Sequence, residues 1–214
     1  MFLSRRKFLN YINCTGLTAI STPLFGSIQS SDNHHLLNYF KFAVGEIKIT
    51  VVSDGGFQLP ISSIDINSSE ENLKKHLKHY HMPEDHIYMH TNISVIEVED
   101  KKLLIDVGSG SRFIGNTGKL FDNLTNANID PESITNVFLT HAHPDHILGI
   151  RDDFDETIFP NAEFMISEKE YDWWTKKNRV NEVDETFMQM VLWAQNSLNA
   201  IPCLLYTSPS PRDS

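Results

Sequence analysis

Hydrophobic and polar positions alternate from Lys41 to Ser53, through Phe42, Val44, Ile47, Ile49 and Val51, with Gly45-Glu46 supplying a turn. That period of two predicts a β-hairpin, and Asp54-Gly55-Gly56 is expected to break its second strand. From Asn67 to Tyr80 the period lengthens. Leu73 and Leu77 lie four apart behind Ser68 or Ser69 as a cap, which predicts a helix. The runs Ile93 to Val98 and Lys102 to Val107, joined at Glu99-Asp100-Lys101, predict a second hairpin, followed by a Gly108-Ser-Gly-Ser111 loop. Thr117 to Asn128 is expected to be helical through Leu120, Phe121 and Leu124, with a short turn at Asp130-Pro131-Glu132. Val137 to Thr140 is an apolar run with the character of a buried strand, and Phe164 to Ile166 predicts another. Helices are expected over Glu168 to Lys177 and Val183 to Leu198, the latter with Phe187, Met190, Val191, Ala194 and Leu198 on one face. Strands alternating with helices predict an α/β layered domain.

Both ends of the chain differ from this pattern. Ser4-Arg5-Arg6-Lys7-Phe8-Leu9 precedes an uncharged, weakly apolar stretch from Tyr11 to Phe25, the layout of a twin-arginine export signal over residues 1–29. That stretch falls short of the roughly 20 residues needed to span a bilayer. The expected partner is the twin-arginine export machinery and the expected location periplasmic or secreted. At the other end, Cys203-Leu-Leu-Tyr-Thr-Ser-Pro-Ser-Pro-Arg-Asp213 resembles one reading frame of the transposase-end adaptor used in sequencing libraries. Residues 203–214 are therefore expected to be an artefact, leaving residues 30–202 as a partial domain.

Composition narrows the function classes. The net charge of −10 argues against a protein that binds a phosphate backbone, so no nucleic-acid partner is expected. The only cysteines are Cys14 and Cys203, so thiolate ligands and disulfides are excluded from residues 30–202. Of the ten histidines, His76, His79, His81, His86 and His90 fall in a polar stretch around Pro83 and are expected to be solvent-exposed or part of a lid.

Chemistry concentrates in Thr140-His-Ala-His-Pro-Asp-His-Ile-Leu-Gly149, which places four potential metal ligands within six residues, directly after an apolar strand. His141 and His143 are two apart, so an extended backbone can aim both imidazoles toward one cation. Pro144 helps turn the chain so that Asp145 and His146 can face a second cation. Two cations about 3.5–4 Å apart can hold a bridging hydroxide and polarise a carbonyl or phosphoryl oxygen.

This His-x-His-x-Asp-His run after a strand resembles the signature of the metallo-β-lactamase superfamily, as does Leu103-Leu-Ile-Asp106-Val-Gly108. More narrowly, Ser53-Asp-Gly55, Gly118-Lys-Leu120, Phe159-Pro-Asn-Ala162 and Glu168-Lys-Glu170 with Trp174 are similar, in order, to the methyl parathion hydrolase and lactonase-like branch. The resemblance implies an αββα sandwich, two sheets face to face with helices outside, of which this chain would be roughly the N-terminal half. It implies that His141 and His143 bind a first divalent cation and Asp145 and His146 a second, zinc being the expected metal. Asp145 would also orient the attacking hydroxide. Asp106 would prop the histidine loop from behind, and Phe113 and Trp174 would line a pocket for a small-molecule substrate. Ile150 stands where many relatives have a second glycine.

The activity so implied is that of an exported dinuclear hydrolase attacking a lactone, ester or phosphotriester. A β-lactamase of the same fold, an iron-dependent redox member and an inert truncated fragment are the alternatives. If only half a sandwich is present, apolar strand residues such as Val95, Leu104 and Phe138 are expected to be less covered than in a complete core.

Overall fold

The structure is a computed structural model that describes residues 38–64, 68–201 and 204–207. The expected export signal and the residues around Pro202 and Cys203 lie outside them. Among the described residues seven strands form one mixed sheet in sequence order: β1 (Tyr39–Val44), β2 (Ile47–Pro60), β3 (His86–Val98), β4 (Lys101–Ile105), β5 (Asn136–Leu139), β6 (Glu163–Ser167) and β7 (Leu204–Thr207). The first four pair antiparallel, as hairpins do, and β4 to β7 pair parallel. The helices are α1 (Glu70–His79), α2 (Leu120–Asn126), α3 (Pro144–Ile147), α4 (Glu168–Thr175) and α5 (Glu185–Leu198). The seventh strand falls in the stretch expected to be adaptor-derived, and it pairs with β6 through Phe164 opposite Leu204.

Local patterns explain most of these elements. Gly45 supplies the left-handed turn residue of the first hairpin, at φ 62°. Ser69 caps α1 by accepting from the Asn72 amide, and Glu70 and Glu71 lie in its first turn with His76, Lys78 and His79 in its last, as the helix dipole favours. Asp184 caps α5 through the Phe187 amide.

Two expectations need correction. The strand does not break at Asp54-Gly55-Gly56. A bulge between Ser53 and Gly55 shifts the register, and β2 continues to Pro60 against the first half of β3. His86 and His90 consequently stand on a strand, whereas His76 and His79 stand on α1. Val95 and Leu104 are fully buried rather than uncovered, because with Val52, Ile93, Val137, Leu139, Phe164 and Ile166 they face the core shared with α2, α4 and α5.

Among the described residues the less covered surface is the opposite side of the same sheet. Phe42 pairs with Ile49, Ile49 with Ile96, Ile96 with Leu103, Ile105 with Phe138 and Phe138 with Met165, so these side chains share one face. On that face Phe138 is half-buried, and Phe40 and Phe42 are 68% and 42% exposed. A sheet apolar on both faces, with helices packed on one of them, is one αβ half of the expected sandwich.

Candidate metal centre

Parallel pairing brings the carboxyl ends of β4, β5 and β6 to one edge, where loops in α/β sheets carry chemistry. Asp106 follows β4, the histidine run follows β5, and Glu170 lies in the first turn of α4, after β6. Beyond β5 Ala142 is packed in the core with no exposed surface, while His141 on one side of it is half-buried and His143 on the other is exposed. Pro144 then takes the first position of the one-turn helix α3, where its missing N–H costs nothing. That turn brings Asp145 and His146 back beside the first two ligand candidates.

The four residues meet. The His141 ring lies 4.0 Å from that of His146 and 4.6 Å from that of His143, centroid to centroid. His141 Nε2 is 3.1 Å from His143 Nδ1, and His146 Nε2 is 3.2 Å from Asp145 Oδ2. Asp106 anchors them from beneath. Its carboxylate accepts from the Thr140 amide at 2.7 Å, from the Thr140 hydroxyl at 2.8 Å and from His146 Nδ1 at 2.8 Å. Asp106 sits at φ 64°, a left-handed conformation that Asp tolerates better than most residues.

The hydrogen-bond network assigns the tautomers. His146 donates through Nδ1 to Asp106 and turns Nε2 toward the Asp145 carboxylate, the nitrogen that a cation would take once its proton is lost. Thr140 gives its only hydroxyl proton to Asp106, so at 3.0 Å it accepts from His141 Nδ1, which leaves His141 Nε2 with a lone pair. His143 Nδ1 then donates to that lone pair, leaving its own Nε2 open.

Charge balance at the cluster is uneven. Burial and the neighbouring His146 and His143 hold His141 below the ordinary imidazole range. Burial acts the same way on His146, but its bonds to Asp106 and Asp145 prevail and push it up to about 9. Burial raises Asp145, yet the bond from His146 and that imidazole's charge carry it below the usual carboxylate range.

Among the described residues no three donors already surround a common point as a ready-made cage. The imidazoles are bonded to one another instead. The donor set nevertheless suits borderline divalent cations such as zinc: three imidazoles and a carboxylate within hydrogen-bond reach, with the proximal nitrogens of His141 and His146 held from behind. His141 and His143 would hold one cation, and Asp145 and His146 the second.

Other positions are less directly placed. Trp174 is 3% exposed; its ring stands edge-on to His143 at 5.7 Å and its indole nitrogen donates to Glu170 Oε1. Phe113 belongs to a separate aromatic group, at 5.2 Å from the Phe57 ring and 6.3 Å from Trp193. Ile150 is buried in the core at the end of the motif. A cavity of about 580 Å³ is lined by Gly110, Phe121, Asp130, Arg151 and Phe159 among others, and by none of the four motif residues. Donor chemistry therefore locates the site better than concavity does.

Local sequence reading assigned no role to two supporting carboxylates. Asp54, fully buried, accepts from the Ser109, Gly118 and Leu120 amides, and so caps α2 from 66 residues away. Burial raises its pKa more than these three amide bonds lower it. Glu170 accepts from the Ala142 amide at 3.0 Å and from Trp174 at 2.6 Å.

A family model of the metallo-beta-lactamase superfamily matches residues 88–182, which include Asp106, all four motif residues and Glu170. Residues 88–182 therefore carry a match to the metallo-β-lactamase superfamily. Among solved structures it is similar to AidC, a dizinc quorum-quenching lactonase in complex with a product, N-hexanoyl-L-homoserine, at 31% identity and TM-score 0.73 over 79% of this chain and 61% of that one. It is similar in fold to the hydrolase AbOPH of the beta lactamase superfamily, at 22% identity and TM-score 0.72, over 81% of this chain and 62% of that one. The chain thus spans about three-fifths of the length of these two structures. No match was found among curated proteins.

Proposed function

We propose that the protein is an exported, dinuclear metal-dependent hydrolase acting on a lactone, ester or phosphotriester, with lactones first among these. The observation that carries this reading is the convergence of His141, His143, Asp145 and His146 at the end of β5, with Asp106 holding His146 by Nδ1. The 31% identity to a dizinc lactonase supports the choice of substrate class. When bound, two divalent cations supply a lowered water pKa and a polarised electrophile.

The chain's own residues do the rest. His141 presents a neutral nitrogen, a form that burial and the neighbouring imidazoles favour, and His143 stands beside it. Asp145 binds and orients, since its carboxylate stands beside His146 at the rim of the cluster. Asp106 keeps His146 in the tautomer that binds through Nε2.

Turnover of an N-acyl homoserine lactone, a phosphotriester and a chromogenic β-lactam by the zinc-loaded full-length protein tests this. Chelator-sensitive lactone or ester hydrolysis, lost in His141→Ala and Asp145→Ala, is expected. Preferred cleavage of the β-lactam would reassign the substrate. No turnover of any of the three would reject the enzyme reading.

A further inference from the structure

The histidine loop has two carboxylate supports, and the one that is not Asp106 is made by one face of α4. Glu170 and Trp174 are four apart on that helix, so their side chains stack along the same face toward the loop. Glu170 Oε1 takes the Ala142 amide, the peptide N–H between the two histidines. The same oxygen takes the Trp174 indole N–H, and the indole ring meets His143 at 84°. One acceptor thus fixes the backbone between His141 and His143 and the aromatic wall against His143.

We propose that Glu170, acting with Trp174, is a positioning residue for the metal-binding loop: it holds Ala142 inward so that His141 and His143 present their nitrogens to the same cation. This rests on the metallohydrolase reading above. Asp106 governs the tautomers of His146 and His141, whereas Glu170 touches no imidazole nitrogen and governs the backbone from which His141 and His143 project. An acceptor without charge can make both bonds, so Gln at this position retains the function and Ala does not.

The test compares wild type, Glu170→Gln, Glu170→Ala and Leu124→Ala in the full chain. Leu124 is a buried residue of α2 outside the cluster and controls for loss of stability alone. Zinc affinity is read by competition with a chromophoric chelator, and the ligand field by the visible spectrum after cobalt(II) substitution. Glu170→Ala is expected to lose about 10- to 100-fold in zinc affinity and to change the cobalt spectrum, while Glu170→Gln stays within about threefold of wild type. The Trp174 indole proton should move upfield in the nitrogen-correlated NMR spectrum of Glu170→Ala and not of Glu170→Gln. Unchanged zinc affinity and spectrum in Glu170→Ala would overturn the inference alone. So would an equal loss in a comparably destabilised Leu124→Ala. Wild type that binds no zinc would overturn it together with the metallohydrolase reading.

Discussion

His146 Nδ1 donates to Asp106 Oδ2 at 2.8 Å across 40 residues of sequence, and the same carboxylate holds the amide of Thr140 at the exit of β5. Asp106→Ala therefore leaves an amide and an imidazole without their acceptor. It should cost about 1–3 kcal/mol of stability for the unpaired amide and lower zinc affinity by about 10- to 100-fold. Urea unfolding and zinc competition measure the two effects. Asp106→Asn should fare better in stability, since Asn also accepts the left-handed backbone. An Asp106→Ala variant with wild-type zinc affinity would show that His146 needs no such support.

The metal-free protein should lose stability at alkaline pH. His146 titrates at about 9 in the fold against an ordinary 6.5, so the fold binds the extra proton. Its contribution is fully present below about pH 6.5 and is lost as pH rises through about 9. In chelator, thermal midpoints should fall across that window, and His146→Gln should flatten the fall. A histidine NMR titration with its midpoint near 6.5 would contradict the ion-pair geometry.

Gly149 has no room for a side chain. A Cβ there would stand 1.9 Å from the Val107 carbonyl oxygen, while the Gly149 amide donates to Gly108 and the Val107 amide to His146. Gly149→Ala must push the loop after β4 away from the turn that carries His146. A loss of about 2–3 kcal/mol in urea unfolding is expected, with weaker zinc binding. Full stability in that variant would mean that the two segments can separate at no cost.

The less covered sheet face should behave as an apolar surface in solution. Phe40, Val44 and Phe42 are 68%, 60% and 42% exposed. The chain is expected to bind a hydrophobic fluorescent dye and to self-associate with rising concentration. Replacing Phe40 and Phe42 with Ser should reduce both, at a stability cost under about 1 kcal/mol for such exposed positions. Dye binding unchanged by the double substitution would place the sticky surface elsewhere.

Export should depend on Arg5 and Arg6. Replacing both with Lys is expected to leave the protein in the cytoplasm, as judged by fractionation of the producing cell. Undiminished export of that variant would show that the amino-terminal pattern is not a twin-arginine signal.

Periodicity and composition were sufficient for most of the architecture. Alternation marked the first hairpin, because the period of two is a local property of a pleated chain, and short apolar runs marked the second hairpin and the strand before the histidines. The ligand candidates were legible for a similar reason: four donors within six residues after a strand end have few other uses. Three features depended on the tertiary structure. The continuation of β2 past Asp54 needed the bulge and the Asn116 backbone that meets Gly56. The start of α2 at Leu120, rather than at the expected Thr117, needed the Asp54 carboxylate from a distant strand. Glu170 looked like any acidic residue in the first turn of a helix until the fold set the Ala142 amide beside it. Backbone N–H groups are the same at every residue, so nothing in a sequence marks which of them will receive a carboxylate from far away. Only the packed chain decides that.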